Sequence, residues 1–260
     1  NFGPLDQEVE RRYDTNYYQP LFVEKHFIGS TARLTGDDVN LPLIYSTIID
    51  SANQKRARRV NLIFFDGAGE QIERADEMVV YNRYILNASA LIFLVDPVGM
   101  PGLRKYLPAH VRPPVPSTYE PYRIIQNVVA MYQRERGLGP ETRVKIPTAV
   151  AIAKSDLLRF AAEGIHVSPS FLKDTSYGGG YRSDEADRVG AEVVDLLVQL
   201  GERALVPATR LFAEVSYHAV SATGWPPDRQ GRYHQVKPIR CLDPLVWVLW
   251  KLGLIAARRQ

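Results

Sequence analysis

Cysteine is almost missing: Cys241 is the single one in 260 residues. One thiol makes no internal disulfide and no cysteine-based metal cage, and it fits a reducing compartment, so a cytoplasmic location is the expectation. An excess of one charge is missing too. Lys and Arg number 32 against 29 Asp and Glu, a net charge of +3, which does not imply nucleic acid as a partner. Long hydrophobic runs are absent. The best stretch, 245–257, contains Lys251 and is too short to span a bilayer. No leader sequence and no internal repeat is visible. His26, His110, His166, His218 and His234 are scattered, and no Ser-His-Asp triad stands out. Also missing is a Gly-x-x-x-x-Gly-Lys-Ser/Thr loop, the backbone cradle for nucleotide phosphates. What is present, 45% hydrophobic and 23% charged residues, is the composition of a folded globular protein.

Apolar runs of strand length alternate with segments of helical spacing. Residues 41–50 (LPLIYSTIID) are rich in β-branched side chains and predict a strand. Residues 60–65 predict a second, antiparallel to the first because the basic turn between them is short. Residues 90–95 (ALIFLV) are a continuous apolar run, as in strands covered on both faces, and 146–153 read as a third buried strand. A last strand is expected within 209–220. Helices are expected over 8–12, 73–86, 122–136, 184–203 and 243–255, and from 157 to 165. Residues 99–118 are proline-rich and read as an ordered surface insertion. Residues 176–183 carry Gly178-Gly179-Gly180 and read as a loop. Tyr13, Tyr17, Tyr18, Phe22 and Phe27 read as packing residues, because only scattered cations accompany them.

The chain centres on 61–70 (NLIFFDGAGE). A buried strand delivers one carboxylate, Asp66, at its tip, and Gly67 and Gly69 then allow close backbone approach. Ligands of open parallel sheets bind beyond such strand ends. Two further strand tips carry Ala153-Lys154-Ser155-Asp156 and Ser221-Ala222. Each has a plainer reading. Lys154-Ser155-Asp156 suits a helix cap, Ser221-Ala222-Thr223-Gly224 suits a turn, and Asp96-Pro97 suits turn initiation.

Taken in order, the three tips resemble the Asp-x-x-Gly, Asn/Thr-Lys-x-Asp and Ser-Ala motifs of P-loop GTPases. The stretch 64–97 with the Leu-Gly-Leu-Ile end of the last helix is similar to the bacterial double-GTPase branch, associated with conflict and signalling systems. The resemblance implies an α/β fold of three layers with a mostly parallel sheet. It implies one domain over 1–260: a lead-in at 1–40, an α/β core at 41–224, and a loop with a C-terminal helix at 225–260. It implies GTP and GDP as ligands, Mg2+ as cofactor, and a GTP-hydrolysing switch with an effector protein. Asp156 would accept from the guanine N–H groups, Lys154 would pack along the base, and the Ser221-Ala222 backbone would donate to the guanine oxygen. Asp66 would hold Mg2+ with Thr31, for which Thr35 competes. Gly69 would contact the γ-phosphate, and Glu70 or Gln71 would stand near the attacking water.

The sequence departs from that pattern at three places: Ala153 replaces Asn or Thr, Glu70 stands where relatives carry Gln, and the phosphate loop is missing. Because the chain starts at Asn1 rather than Met, the expectation is that the loop and its strand precede it. The strands ending at Asp66 and Val95 should then be parallel and separated by a gap. A second function is open, a nucleotide-free scaffold that keeps the fold to bind partners. A third is a hydrolase using Asp66 as nucleophile or metal ligand.

Overall fold

A computed structural model describes residues 3–29, 41–49, 58–65, 83–107, 120–161, 165–167, 169–173 and 181–258. Two three-stranded sheets organise them. The first joins β1 (Gly3–Pro4), β2 (Leu43–Ile49) and β3 (Arg58–Phe64) in that order, all antiparallel. The register sets Tyr45 opposite Leu62 and Ser46 opposite Asn61. The second joins β4 (Leu91–Val95), β5 (Thr148–Ile152) and, further on, β7 (Val215–Ala219), all parallel. Between these last two in sequence lies β6 (Tyr181–Arg182), which pairs in parallel with β8 (Ala257–Arg258).

Beside the first sheet runs α1 (Gln7–Tyr13), opened by Asp6, whose side chain accepts from the Val9 N–H at 2.9 Å. This is a helix N-cap. The helix widens into π-helical turns over Asp14–Val23 with Pro20 inside. The Pro20 nitrogen has no hydrogen to donate to a residue four back, and wide bonds such as Glu24 N–H to Gln19 O, 2.9 Å, form instead. Tyr13 and Tyr17 stack at 6.1 Å, Tyr18 and Phe22 at 5.6 Å, and Tyr13 meets Tyr45 edge-on. Tyr13, Tyr17, Tyr18 and Phe22 therefore make ring contacts with one another, whereas Phe27 is exposed.

The parallel sheet is the centre of the protein. On one face lie α3 (Pro121–Glu135) and α4 (Ser183–Gln199), with the short α2 (Pro101–Arg104) and α5 (Leu205–Thr209) beside them. Ile125, Val128, Val129 and Tyr132 of α3 and Val189, Val193, Leu196 and Leu197 of α4 meet Val95, Val150, Ile152 and Ala219 of the sheet. Their spacing of three and four puts them on one helix face. On the other face α6 (Asp243–Lys251) sets Trp247 and Val248 against Ala149. Every residue of β5 is consequently buried. Its small Ala149 and Ala151 leave room for the indole.

Two expectations need correction. β3 and β4, expected on either side of a gap, indeed do not pair, but they lie in two separate sheets rather than in one mostly parallel sheet, β3 in the antiparallel one and β4 in the parallel one. Among the described residues no strand pairs with both; contacts between the two regions include a stack of Phe65 on Tyr84 at 4.3 Å and backbone hydrogen bonds linking Lys25 with Tyr233 and Phe27 with Gly231. The helix expected from 157 is a 3-10 segment, Ser155–Phe160. The last strand expected within 209–220 is β7. Most of the helix expected at 73–86 lies outside the described residues, and 83–87 is a 3-10 turn.

His218 lies in β7, buried under Trp247, with its ring nitrogen 2.7 Å from Ser216 Oγ. Burial, aided by the nearby Arg240 charge, pushes its pKa from 6.5 down to about 3. The folded chain thus keeps the ring neutral in a range where the unfolded chain protonates it. Stability is whole above the unfolded pKa and falls as pH drops from 6.5 towards 3. Urea midpoints measured from about pH 7 to about pH 5 should decline, and His218→Gln, which stays neutral, should flatten that decline.

Candidate functional site

The C-terminal ends of β4, β5 and β7 lie side by side, since the register pairs Val95 with Ile152 and Ile152 with Ala219. The ladder continues one step past the strands. Ala153 N–H donates to Val95 O at 2.9 Å, and Ser155 N–H to Val220 O at 3.0 Å. Three polar turns are thereby held next to one another.

After β4, Asp96 opens the 3-10 turn Pro97–Gly99, its Oδ1 accepting from Val98 N–H at 3.0 Å. After β5, Lys154 takes a left-handed φ of 50°. This bend sends its side chain to Asp96, with Nζ 2.6 Å from Oδ2. Both partners are half-exposed, so the pair contributes about 0–1 kcal/mol. After β7, Ser221 and Ile239 exchange two backbone hydrogen bonds, of 2.9 and 2.8 Å.

Asp156 turns inward. It is 2% exposed, and Ser221 Oγ donates to its Oδ1 at 2.5 Å. The same hydroxyl oxygen accepts from Gly224 N–H at 2.8 Å. Burial pushes the Asp156 carboxyl above its ordinary range, and the Ser221 hydrogen bond and the Arg159 and Lys154 charges only partly oppose this. Gly224 has a φ of 74°, and a Cβ there would stand 2.0 Å from Lys237 O, so only glycine fits. Arg159 closes the turn, donating to Gly224 O at 3.0 Å with its guanidinium 5.1 Å from the Trp225 ring centre. Ala222 is exposed at the turn's tip.

Beside this turn Arg240 is buried with a φ of 53°. It reaches Asp243 at 2.6 Å and Glu185 of α4 at 3.0 Å. Sequence reasoning missed this cluster. The Arg240–Asp243 spacing ahead of an apolar helix signals half of it, whereas Glu185 is remote in sequence. It also missed the Lys154–Asp96 pair, having read Asp96 only as a turn residue.

Lys154, Asp156, Ser221 and Ala222 are therefore at one end of the sheet, and the first three are occupied with protein partners. Asp66, Gly69, Glu70, Gln71 and Thr31, with Thr35, lie outside the described residues. Among the described residues no group of three or more His, Cys, Asp or Glu is arranged to hold a metal ion, and the Mg2+ expectation rests on Asp66 and Thr31 alone. No described helix is long and apolar enough to cross a membrane.

The fold and site define a mixed α/β protein whose sheet-end polar groups are tied to one another. No protein-family model matches the chain, and no solved structure matches it. It is 28% identical over 270 aligned residues to the protein described as "Putative ESX-1 scaffolding and assembly protein SaeC" from Mycolicibacterium smegmatis. The match takes in 97% of this chain and 66% of that relative, so the chain spans about two-thirds of the relative's length.

This finding corrects the GTPase resemblance. A match across nearly the whole chain leads to a protein described by scaffolding and assembly, and nothing in the comparisons supports GTP binding, a GTPase switch, a hydrolase or the double-GTPase branch. GTP and GDP as partners are overturned with it. The motifs that carried the resemblance are short, and each is also what a turn needs: Ser221 satisfies Asp156 and Gly224, and Lys154 satisfies Asp96.

The Ser221–Asp156 contact predicts a stability effect. Ser221→Ala strips a buried carboxyl and a buried N–H of their partner and should destabilise the chain by roughly 1–3 kcal/mol in urea titration. A loss below about 0.5 kcal/mol would mean that the contact does not hold the turns together.

Proposed function

We propose that the chain is a scaffold: a protein that holds other polypeptides together and performs no reaction of its own. The observation that carries this reading is the 28% identity, along 97% of the chain, to a relative described as an ESX-1 scaffolding and assembly protein. Two features of the structure support it. At the sheet end Lys154 satisfies Asp96, and Ser221 satisfies Asp156 and Gly224, while the buried Ser155 Oγ has no hydrogen-bond partner among the described residues. Large apolar side chains stand exposed elsewhere, among them Leu94, Ile63, Phe27 and Phe22. Such residues supply apolar surface against which other proteins can pack. The partners are proteins, and by the relative's description they belong to an ESX-1-type assembly.

The test is removal and rescue in the native cell. The gene is deleted, and the recovery of crosslinked assemblies is measured with and without the tagged chain. Loss of a defined set of co-purifying polypeptides on deletion, restored by the chain, supports scaffolding. An unchanged set counts against it. A scaffold also needs no reacting group at the sheet end. Lys154→Ala breaks only a half-exposed pair and should leave partner recovery within about twofold of the parent.

A further inference from the structure

Strand β4 reads Leu91-Ile92-Phe93-Leu94-Val95, apolar throughout. Its inner half is accounted for. Leu91 N–H donates to Pro147 O at 3.0 Å, and Val95 O accepts from Ala153 N–H at 2.9 Å. Residues 91, 93 and 95 therefore aim their backbone groups at β5. In an evenly spaced parallel ladder the alternate residues, Ile92 and Leu94, aim N–H and C=O at the opposite edge. Among the described residues no strand pairs with that edge.

The same two residues expose their side chains, Ile92 by 39% and Leu94 by 66%. Across the ladder their partners Ala149 and Ala151 are buried. Helix α6 reaches β5 and β7 but leaves this face of β4 bare. Strands of parallel sheets are ordinarily covered on both faces. Free edges are ordinarily blunted by charge, proline or a bulge, and β4 has no charged residue and no proline.

We propose that the outer edge of β4 is a strand-addition site, where an extended, apolar segment of a partner polypeptide docks as a further strand of the parallel sheet. That the partner is a protein rests on the scaffold reading; the edge rests on the geometry. The backbone groups of Ile92 and Leu94 give two donor–acceptor pairs spaced two residues apart, the pattern an extended chain matches. Their bare side chains select apolar residues at alternate positions of the incoming strand. A second copy fits less well. Self-pairing of a five-residue strand covers far less than the roughly 1,200–2,000 Å² of a stable interface. A partner held by other contacts on a scaffold has no such requirement.

The experiment uses residues 1–260 and, in parallel, the chain as its gene encodes it. The probe is a fluorescein-labelled peptide, Lys-Thr-Val-Thr-Val-Thr-Val-Lys, followed by anisotropy and by amide hydrogen exchange. Expected are saturable binding and exchange slowed at least about tenfold at the Ile92 and Leu94 amides. Leu94→Pro removes one outward N–H and no bond to β5, and should weaken binding at least about tenfold. Should Leu94→Pro fail to fold by circular dichroism, Ile92→Lys, which keeps the ladder and charges the edge, takes its place.

Absence of saturable binding overturns the proposal, as does binding indifferent to these substitutions. So does protection of both amides before peptide is added, with sedimentation telling a second copy from the chain's own residues as the occupant. The scaffold reading is judged apart. Native partners still recovered with the β4 variant overturn the edge and leave the scaffold. Peptide bound at the edge with no native partner recovered does the reverse.

Discussion

Burial of β5 on both faces is the constraint from which the rest of the parallel sheet follows. Thr148, Val150 and Ile152 face α3 and α4, and Ala149 and Ala151 face α6. On the second face Ala149 packs against Trp247 and Val248. The indole in turn seals His218 and keeps it neutral. A strand with no exposed residue must also have both ladder edges filled, and β4 and β7 fill them. The neighbours inherit unequal shares of cover. β7 lies beneath α4 and α6, while β4 receives helices on one face only.

At the sheet's C-terminal end the chain leaves three adjacent strands at once, and the freed polar groups must find partners. Most do so locally and reciprocally, whereas the buried Ser155 Oγ has no hydrogen-bond partner among the described residues. Lys154 bends back to Asp96, Ser221 bridges Asp156 and Gly224, and Arg240 links Asp243 to α4. The buried members differ from the half-exposed pair in what they contribute. Removing one partner of a buried polar contact strands the other without water, whereas Lys154 and Asp96 can each be rehydrated.

Much of the framework is legible in the residues. The strands at 43–49, 58–64, 91–95 and 148–152 follow from β-branched and apolar runs, and the antiparallel pairing of the first two follows from their short connection. Helices α3, α4 and α6 follow from spacings of three and four. The π-helical turns at 14–23 were not legible, because Pro20 forbids a regular bond whose replacement depends on tertiary contacts. The 3-10 segment at 155–160 was read as an α-helix because short apolar runs do not distinguish the two. The site was half legible. Lys154, Asp156 and Ser221 were picked out, but as groups awaiting a nucleotide rather than groups satisfying one another. Asp156 and Ser221 are far apart in sequence, and only the parallel register of β5 and β7 brings them together.

The first and last parts of the chain are stitched together. Phe27 N–H donates to Gly231 O at 2.8 Å, Tyr233 N–H to Lys25 O at 2.7 Å, and Lys25 Nζ to His234 O at 3.2 Å. This closure gives folding an order in time. During synthesis the segment around residues 25–27 emerges early, and its backbone partners do not exist until residue 234 has been made. The core sheet can assemble in the interval, because β4, β5 and β7 precede that point in the chain. The segment at 25–27 waits until residues 231–234 are made for its anchor. Contacts so distant in sequence form slowly, and the waiting segment carries exposed aromatics. A nascent chain therefore has a built-in interval during which a chaperone can hold residues 25–27 until residues 231–234 arrive.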